Sequence, residues 1–408
     1  MTPDRAGDVR PVLMVLASTY PRWAGDPEPG FVHELSKRLA DQFRVIAVVP
    51  AAVGAAPRER LEGVDVVRFR YAPRRWETLV NDGGILANLR KARWKFLLLP
   101  GFFLSQWLTA ARIARREDVR AIHAHWLVPQ GLVAWLVHAL GRKRVPYLVT
   151  SHGADLFALR GRVFTAMKRL VAKRAGAVTV VSAAMRDEMA RVGIEASQVH
   201  VQPMGVDLAH RFTPRADAAR SPGEILFVGR LVGKKGLRHL IDAMPAVIAA
   251  HPEAFLTVVG FGPEEAACRE QVRALGLESH VRFTGAIAQD GLPALYRRAA
   301  VFVAPFVRTA DGDQEGLGLV VVEAAGCGCP VVVSDLPAVR DVFAGGYAPA
   351  AIVEAGSVEE LAHAISGVLA NPPDTRDLRA SLLDRFDWAV VAEGYAERLT
   401  RLAREGRQ

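Results

Sequence analysis

The feature that most constrains the fold is a repeated alternation of short apolar runs with amphipathic segments. An apolar run at residues 11–17 precedes an amphipathic helical pattern at 31–40, and a second apolar run follows at 43–50. Near-continuous apolar runs are typical of parallel strands that are buried on both faces, and their alternation with helices is typical of α/β sheets. The pattern restarts at residue 224, after a stretch at 212–223 that is rich in Pro, Ser, Arg and Asp. We therefore predict two α/β domains joined by a linker.

The stretch that says most about function, residues 315–323, reads Glu-Gly-Leu-Gly-Leu-Val-Val-Val-Glu. It lies between an apolar run and a helical pattern, which predicts a strand, a glycine-containing loop and a helix. The start of such a helix exposes backbone N–H groups and the positive end of the helix dipole, which attract anions. With a helix start near Gly316, Glu323 would lie about two turns along the helix. This arrangement suits a ligand with a central diphosphate and hydroxylated groups at both ends, such as a nucleotide sugar.

The frame Glu-Gly-Leu-Gly-x-x-x-x-Glu-Ala, with Gly-Cys-Pro-Val-Val-Val-Ser at 328–334, resembles the signature of retaining GT-B glycosyltransferases of family 4. The resemblance implies an α/β fold of two doubly wound, Rossmann-like domains that face a cleft. The first domain, at 1–207, would bind the acceptor. After a linker at 208–223, the second domain, at 224–385, would bind the nucleotide sugar, and a last helix at 386–408 would cross back to the first domain.

Two cations follow the first predicted strand of the second half. The loop reads Gly-Arg-Leu-Val-Gly-Lys-Lys-Gly and resembles the Gly-Arg-Leu-x-x-x-Lys-Gly of the family, which selects Arg230 and Lys235 and leaves Lys234 without a role. Cations at the end of a strand can hold a diphosphate and stabilise it as it leaves. Because they and the helix terminus supply positive charge, we expect no metal cofactor. We interpret Asp311 and Asp313 as parts of the loop.

A histidine follows the predicted strand at 146–150, in the frame Thr-x-His-Gly-x-Asp. The carboxyl ends of parallel strands border the ligand site of an open α/β sheet. The resemblance places His152 against the donor sugar. The preceding strand at 121–125, Ala-Ile-His-Ala-His, resembles the His-x-His strand of the family. Gly30 opens the first predicted helix and is assigned as a point of close approach to phosphate or acceptor.

The resemblance implies a role for each residue of the site. The Glu323 carboxylate would accept hydrogen bonds from the ribose, and Glu315 and His152 would orient the sugar at the anomeric carbon. Retention would proceed by front-face attack, with the departing phosphate taking the acceptor proton and no protein nucleophile. The expected catalytic residues are His152, Glu315, Arg230 and Lys235. The expected donor-binding residues are Gly30, Gly229, Arg230, Lys235, Gly285, Ala286, Ile287, Glu315, Gly316, Leu317, Gly318, Leu319 and Glu323.

The charge of the chain is unevenly distributed. The net charge of +9 arises from +13 in residues 1–210 and −4 in residues 211–408. The basic half, and the segment at 91–116 with its Trp and Phe residues between basic flanks, suggest contact with an anionic membrane surface. The alternative for this segment is a buried helical hairpin. No nucleic-acid-binding motif is present, and we expect no such partner.

The first residues are polar and charged, and no apolar stretch is expected to reach the length of a membrane span. The three cysteines lack the spacing of a zinc site or redox pair. We therefore expect a cytoplasmic protein. The basic half and the segment at 91–116 suggest that it is peripheral on the membrane and acts on a saccharide or lipid-linked acceptor in envelope, exopolysaccharide or glycolipid synthesis.

Three alternatives remain open from the sequence. A GT-B epimerase or a glycan phosphorylase would share the nucleotide or phosphate pocket. Saturation by inorganic phosphate instead of a nucleoside diphosphate would identify a phosphorylase, and an epimerase would need further bases that the sequence does not offer. A non-catalytic nucleotide-sugar-binding protein would keep Arg230 and Glu323 but could dispense with His152 and Glu315.

Overall fold

The computed structural model describes residues 10–26, 30–80, 84–215, 219–310, 312–344 and 349–406. The chain divides into two compact units. The first consists of Met1–Val181, Arg186–Gln202 and Ala392–Gln408, and the second of Ser182–Met185 and Pro203–Val391. Residues 392–408 at the carboxyl end of the chain thus belong to the first unit.

The first unit is built on a sheet with strand order β3-β4-β2-β1-β5-β6-β7-β8. The central β1 is buried along its whole length, as its apolar sequence predicts. All neighbouring strands run parallel except β3 and β4, an antiparallel edge pair that the sequence analysis did not predict. Within the described residues the strands are β1 Val12–Leu16, β2 Arg44–Pro50, β3 Arg58–Leu61, β4 Val64–Phe69, β5 Val119–His125, β6 Tyr147–Ser151, β7 Ala177–Val180 and β8 Val199–Val201.

Helices connect these strands, as the predicted doubly wound arrangement requires. They are α1 Phe31–Leu39, α2 Gly84–Lys91, α3 Leu99–Arg116, α4 Leu132–Leu140, α5 Ala154–Phe157, α6 Arg162–Arg174 and α7 Ala183–Arg191. Each strand ends at the same edge of the sheet as its parallel neighbours. The loops after β5 and β6 are therefore adjacent, because His125 pairs in register with Thr150.

The segment before and within α3 corrects two expectations. A 3₁₀ turn at Arg93–Leu98 leads directly into α3, so the segment is continuous and is not a hairpin. Together they form a helix of 24 residues that is long and apolar enough to cross a membrane by length and composition. This length contradicts the expectation that no apolar stretch reaches the length of a membrane span. Pro100 occupies the first turn of α3, where proline is tolerated, and does not break the helix.

The second unit contains a sheet with strand order β11-β10-β9-β12-β13-β14, and all its neighbouring strands are parallel. Its strands are β9 Ser221–Val228, β10 Phe255–Val259, β11 Val281–Gly285, β12 Ala299–Ala304, β13 Val331–Ser334 and β14 Ala351–Val353. Its helices are α8 Leu237–Ala250, α9 Glu265–Ala274, α10 Leu292–Arg298, α11 Leu319–Gly326, α12 Pro337–Val342, α13 Val358–Ala370 and α14 Arg376–Phe386, and α15 Trp388–Glu405 leads into the first unit.

The core of the second unit lies between the inner strands and the helices α8, α9 and α13. It consists of aliphatic side chains such as Ile225, Leu240, Val258 and Ile365, each fully buried. The apolar runs that predicted β9, β10 and β12 supply most of the sheet side of this core. A rigid parallel sheet therefore supports the loops at its carboxyl edge, where ligands of such sheets bind.

Candidate active site

Three adjacent strands of the second unit end in glycines that lie against one another. The Gly229 N–H donates to the Val259 carbonyl at 3.0 Å, and the Gly260 N–H donates to the Gly285 carbonyl at 2.9 Å. A Cβ on Gly260, whose φ is 137°, would lie 1.9 Å from the Gly229 oxygen. Glycine is required there by both conformation and space. The structure thus brings together the predicted Gly229 and Gly285, and Ala286 and Ile287 follow in the loop after β11.

The loop between β9 and α8 carries the two predicted cations. Arg230 follows Gly229 directly and is partly buried, and Lys235 lies in a 3₁₀ turn, Gly233–Lys235. Gly236 then adopts a left-handed conformation, and a Cβ there would lie 1.7 Å from the Pro305 oxygen. The loop after β9 therefore packs directly against the loop after β12.

Lys235 meets the first glutamate of the signature across these two loops. Its Nζ lies 2.8 Å from Glu315 Oε2 and 4.5 Å from the centre of the Phe306 ring. The oxygen is buried and lies at ion-pair distance without an aligned hydrogen bond from the described residues. Burial alone would raise the pKa of Glu315, but the Lys235 and Lys234 ammonium groups outweigh it and lower the pKa to about 2. Glu315 is therefore an anion at neutral pH.

The neighbouring Lys234 has different partners. Its Nζ lies 3.2 Å from both Asp313 Oδ1 and the Gln314 carbonyl, and its own carbonyl accepts from Val307 N–H at 2.9 Å. Lys234 therefore stabilises the loop that carries Glu315 through these contacts. Asp313 accordingly acts as part of the loop, whereas Asp311 lies outside the described residues.

Helix α11 begins later than predicted, and this changes the place of Glu323. The helix starts at Leu319, because Gly318 has φ 86° and cannot be helical. Gly316 and Leu317 lie in the bend before it. Glu323 is therefore one turn into the helix and not two. Val321 N–H donates to the Gly318 carbonyl at 2.9 Å, and the positive end of the helix dipole lies at the carboxyl edge of the sheet.

Glu323 is almost fully buried and has a hydrogen-bond partner that the sequence does not indicate. The Tyr296 hydroxyl donates to Glu323 Oε2 at 3.0 Å, and Tyr296 itself is fully buried. Burial raises the pKa of Glu323 to about 7, although the hydrogen bonds from Tyr296 and Gln289 lower it. The sequence assigns no role to Tyr296, because it lies 27 residues before Glu323 and no local pattern indicates their pairing.

The first unit contains a group of histidines at the ends of β5 and β6. His125 Nδ1 lies 3.0 Å from His152 Nε2, and the two ring planes differ by 11°. His123 packs on His125 with ring centres 4.1 Å apart, and its Nε2 lies 2.8 Å from Thr150 Oγ1. The Phe31 ring lies 4.9 Å from that of His152. The predicted His152 is thus held within a set of aromatic side chains.

Asp155 holds both histidine loops through hydrogen bonds to its carboxylate. Oδ2 accepts from Leu127 N–H at 2.7 Å, and Oδ1 accepts from the Ser151 hydroxyl at 2.9 Å and from His152 N–H at 3.3 Å. Burial raises the pKa of Asp155, although these hydrogen bonds oppose the rise. One buried carboxylate therefore fixes the backbone after β5 and the backbone of His152.

Gly30 caps α1 next to Phe31, so it lies near the histidine group. Its φ is −91°, and a Cβ there would meet Pro21 at an ordinary 3.7 Å. The backbone therefore does not require glycine at this position. Within the described residues, no group of three or more His, Cys, Asp and Glu side chains is placed to hold a metal ion.

Two family profiles match nearly the whole chain. The profile described as Glycosyl transferases group 1 matches residues 214–382. The profile described as Glycosyl transferase 4-like domain matches residues 31–205. The two matches fall on the second and the first half of the chain, where the sequence analysis predicted a donor domain and an acceptor domain.

Relatives with assigned activities are found in mycobacteria. The chain is 30% identical over 313 residues to a GDP-mannose-dependent alpha-(1-6)-phosphatidylinositol monomannoside mannosyltransferase of Mycolicibacterium smegmatis. The aligned residues cover 73% of this chain and 80% of the relative. It is also 30% identical over 295 residues to a glycogen synthase of Mycobacterium tuberculosis. That alignment covers 69% of this chain and 68% of the glycogen synthase. The fold is similar to that of sucrose-phosphate synthase from Thermosynechococcus elongatus, with a TM-score of 0.78 and 23% identity over 97% of this chain and 100% of that one.

Proposed function

The chain belongs to the family 4 type of GT-B glycosyltransferases, and we propose that it transfers a hexose from a nucleoside diphosphate sugar to a saccharide or lipid-linked acceptor with retention of configuration. The observation that carries the proposal is the Lys235–Glu315 pair, which sets a cation and a carboxylate side by side at the carboxyl edge of the second sheet. The mannosyltransferase relative, whose name specifies phosphatidylinositol monomannoside, supports a lipid-linked acceptor. We propose that the product serves envelope, exopolysaccharide or glycolipid synthesis.

In this proposal the second unit binds the donor. Arg230, Lys235 and the N–H groups at the start of α11 hold the diphosphate, since they combine two positive charges with a helix N-terminus. Glu323 accepts hydrogen bonds from the ribose hydroxyls. The loop at 285–287 takes the base. Glu315 and His152 contact the transferred sugar.

The proposed reaction takes place on one face of the sugar. The acceptor oxygen forms its bond to the anomeric carbon on the side from which the diphosphate departs, and the carbon–oxygen bond to the diphosphate breaks. The acceptor proton passes to the departing phosphate oxygen. Arg230 and Lys235 stabilise the negative charge that develops on the diphosphate, which is the largest contribution the protein makes to such a step.

The experiment begins with thermal-shift screening against UDP- and GDP-hexoses, because a bound donor raises the apparent stability by mass action. The selected donor is then incubated with lipid and saccharide acceptors, and NMR gives the configuration of the product. An α-linked product from an α-linked donor is expected. A β-linked product would contradict retention, and release of hexose 1-phosphate with inorganic phosphate would indicate a phosphorylase.

Two substitutions test the assigned charges. Glu315→Gln and Arg230→Ala should each lower kcat by about two to three orders of magnitude, as loss of a group that stabilises developing charge does. Arg376→Ala is the matched control, since Arg376 is an exposed arginine of the same unit that forms an ion pair with its surface neighbour Asp374. Turnover near the wild-type value in either test variant would contradict the assigned site.

We also propose that the first unit docks on an anionic membrane surface. Four apolar side chains are exposed on or beside the turn before α3, and Leu97 is 82% exposed. We define the Trp94 surface as these four side chains, Trp76, Trp94, Phe96 and Leu97, together with the exposed cations Arg74, Arg75, Arg90, Lys91 and Arg93. Residues 83–116 contain no Asp or Glu. Aromatic and cationic side chains together suit an interface of anionic lipid headgroups.

The packing of α3 favours a helix that lies on a membrane over one that crosses it. Only 22% of the apolar stretch within Arg93–Arg116 is buried, but Phe102, Gln106 and Ala110 form a continuous buried face of α3. Gln106 Nε2 donates to the carbonyls of Ala17 at 3.3 Å and Val48 at 3.4 Å. A membrane-spanning position would break these contacts with the sheet.

Liposome sedimentation tests the docking. The protein should pellet with vesicles of phosphatidylglycerol and phosphatidylcholine, less so at high salt, and not with phosphatidylcholine alone. Combined Trp94→Ser and Leu97→Ser substitutions should abolish pelleting. Leu140→Ser, which replaces another exposed leucine of the same unit, should leave it unchanged. Equal pelleting with both vesicle types would contradict the proposal.

We propose a cytoplasmic location at the inner face of the membrane. Cys268, Cys327 and Cys329 are buried and form no disulfide, which is consistent with a reducing compartment. Fractionation of cells that express the chain should place it with the cytoplasm and with membranes from which salt releases it.

A further inference from the structure

Two histidines of the first unit share a single hydrogen bond. His125 is the last residue of β5, and His152 is the first residue after β6. His125 Nδ1 and His152 Nε2 lie 3.0 Å apart with the rings almost parallel. Between two ring nitrogens, a hydrogen bond needs a proton on one and a lone pair on the other. The contact therefore links the tautomer of one ring to that of the other.

Both rings are neutral at physiological pH. Burial lowers the pKa of His152 to about 3. Burial, with smaller contributions from His123 and His152, lowers the pKa of His125 well below its ordinary value. A neutral imidazole carries one proton. Each ring must therefore place its single proton on one of two nitrogens, and the shared contact leaves two arrangements.

The outer nitrogen of His125 distinguishes the two arrangements. His125 Nε2 is buried and has no hydrogen-bond partner among the described residues. If His152 donated, His125 would carry its proton on this nitrogen as a buried N–H without an acceptor. If His125 donates through Nδ1, its Nε2 carries no proton and is only an acceptor that lacks a donor. Orphaned buried N–H groups are rarer in proteins than acceptors that lack a partner, so the second arrangement is favoured.

We propose that His125 is a positioning residue, which holds His152 in the tautomer that carries its proton on Nδ1. His152 then presents a neutral N–H donor to an oxygen of the transferred sugar, and it does not act as a base. This inference rests on the proposed function for the role of His152, whereas the tautomer itself does not.

The surroundings hold this arrangement in place. The Nε2 atom of His123 contacts Thr150 Oγ1 and is not available to His125. Asp155 accepts from the backbone N–H of His152 and from that of Leu127, two residues after His125. Both loops are thereby fixed, and the two rings meet in one geometry. His152 therefore cannot change its tautomer without breaking the contact or leaving a buried N–H unpaired.

The tautomer is read directly by NMR. In full-length protein labelled with ¹⁵N-histidine and without donor, long-range ¹H–¹⁵N correlation spectra distinguish a protonated from an unprotonated ring nitrogen. The spectrum of His152→Gln assigns the His152 signals by their loss. We expect a protonated Nδ1 and an unprotonated Nε2. A protonated Nε2 on His152 in the wild-type protein would overturn the proposal without any variant.

Variants of His125 separate positioning from packing. His125→Asn keeps an N–H donor near the place of Nδ1 and should preserve both the His152 tautomer and most of kcat/KM. His125→Leu removes the donor, should release the His152 tautomer, and should lower kcat/KM by about three- to tenfold, the value of one hydrogen bond. His123→Asn is the matched control, since it alters the neighbouring buried histidine and should leave the His152 tautomer unchanged.

The positioning role of His125 and the role of His152 in transfer can be disproved separately. If His125→Leu and His125→Asn lose activity equally while the His152 tautomer stays the same in both, His125 is a packing residue and the proposal is wrong. If His152→Gln transfers sugar at the wild-type rate, the proposed role of His152 in transfer fails, although the tautomer result stands.

Discussion

Lys235 Nζ lies 2.8 Å from Glu315 Oε2, and the two side chains are only 14% and 16% exposed. The pair joins the loop after β9 to the loop after β12, and Phe306 covers the ammonium group on another side. A diphosphate that reaches Lys235 must therefore share this cation with Glu315. In the proposed function, a diphosphate bound at Lys235 would therefore lie beside this carboxylate, and the attached sugar would be within its reach.

Replacement of Lys235 should damage transfer far more than replacement of its neighbour. Lys235→Met removes the cation assigned to the diphosphate and should lower kcat/KM by about a hundredfold or more. Lys234→Met is the matched control. It breaks contacts to Asp313 and Gln314, which hold the loop, and should cost only a few fold by initial rates. Equal losses in the two variants would show that Lys235 acts through loop structure alone.

Glu323 should make the stability of the protein depend on pH. Its pKa in the folded protein is about 7, above the ordinary 4.5. The folded state thus favours the protonated acid, and the associated stability is complete below pH 4.5 and lost as the pH rises through 7. Glu323→Gln does not titrate. Its stability relative to the wild type should therefore rise between pH 4 and pH 8, by up to about 3 kcal/mol, while nucleotide affinity falls.

Urea denaturation at the two pH values measures this difference. Tyr296→Phe provides a second check, because it removes a hydrogen bond that lowers the pKa of Glu323. The pH range over which stability is lost should then move upward. A stability difference between wild type and Glu323→Gln that is the same at pH 4 and pH 8 would be inconsistent with the raised pKa.

Two glycines of the second unit should differ sharply in their tolerance of alanine. Both Gly236 and Gly285 have a positive φ, 69° and 73°. A Cβ at Gly236 would lie 1.7 Å from the Pro305 oxygen, whereas a Cβ at Gly285 meets nothing within 4 Å. Gly285→Ala should therefore cost only the conformational strain of about 1–2 kcal/mol. Thermal denaturation should show a much larger loss for Gly236→Ala, and similar losses would mean that the two loops are not packed as described.

Transfer should not require a divalent metal. Arg230, Lys235 and the start of α11 supply the positive charge that a metal would otherwise bring to the diphosphate. Initial rates should be unchanged after extensive treatment with EDTA. A loss that magnesium or manganese restores would contradict the expectation and would direct attention to the Asp311–Asp313 part of the loop.

The strands and the main site loops could be predicted because their causes are local. The bounds of β1, β2 and β6 lie within one residue of the predicted strands at 11–17, 43–50 and 146–150, since continuous apolar runs mark these strands. The signature glutamates were found because their spacing lies within one loop and one helix. Membership in the GT-B glycosyltransferases was likewise predicted from such short motifs and is confirmed by the profiles and relatives.

The errors and omissions concern longer-range or conformational causes. Tyr296 and Glu323 are 27 residues apart, as are His125 and His152, and only the folded sheet brings each pair into contact. The start of α11 was placed too early, because the left-handed conformation of Gly318 is not visible in a sequence that contains several glycines. Local patterning cannot show which side chains meet across two loops.

The most direct test of the account is calorimetric titration of the wild-type protein, Arg230→Ala and Lys235→Met with a nucleoside diphosphate and with the corresponding nucleoside. If the diphosphate is held by these two cations, the wild type should bind the diphosphate far more tightly than the nucleoside, and each variant should lose most of that difference while keeping its affinity for the nucleoside. If both variants bind the diphosphate as tightly as the wild type does, the positive charge at this strand edge does not hold the donor, and the assigned site is wrong.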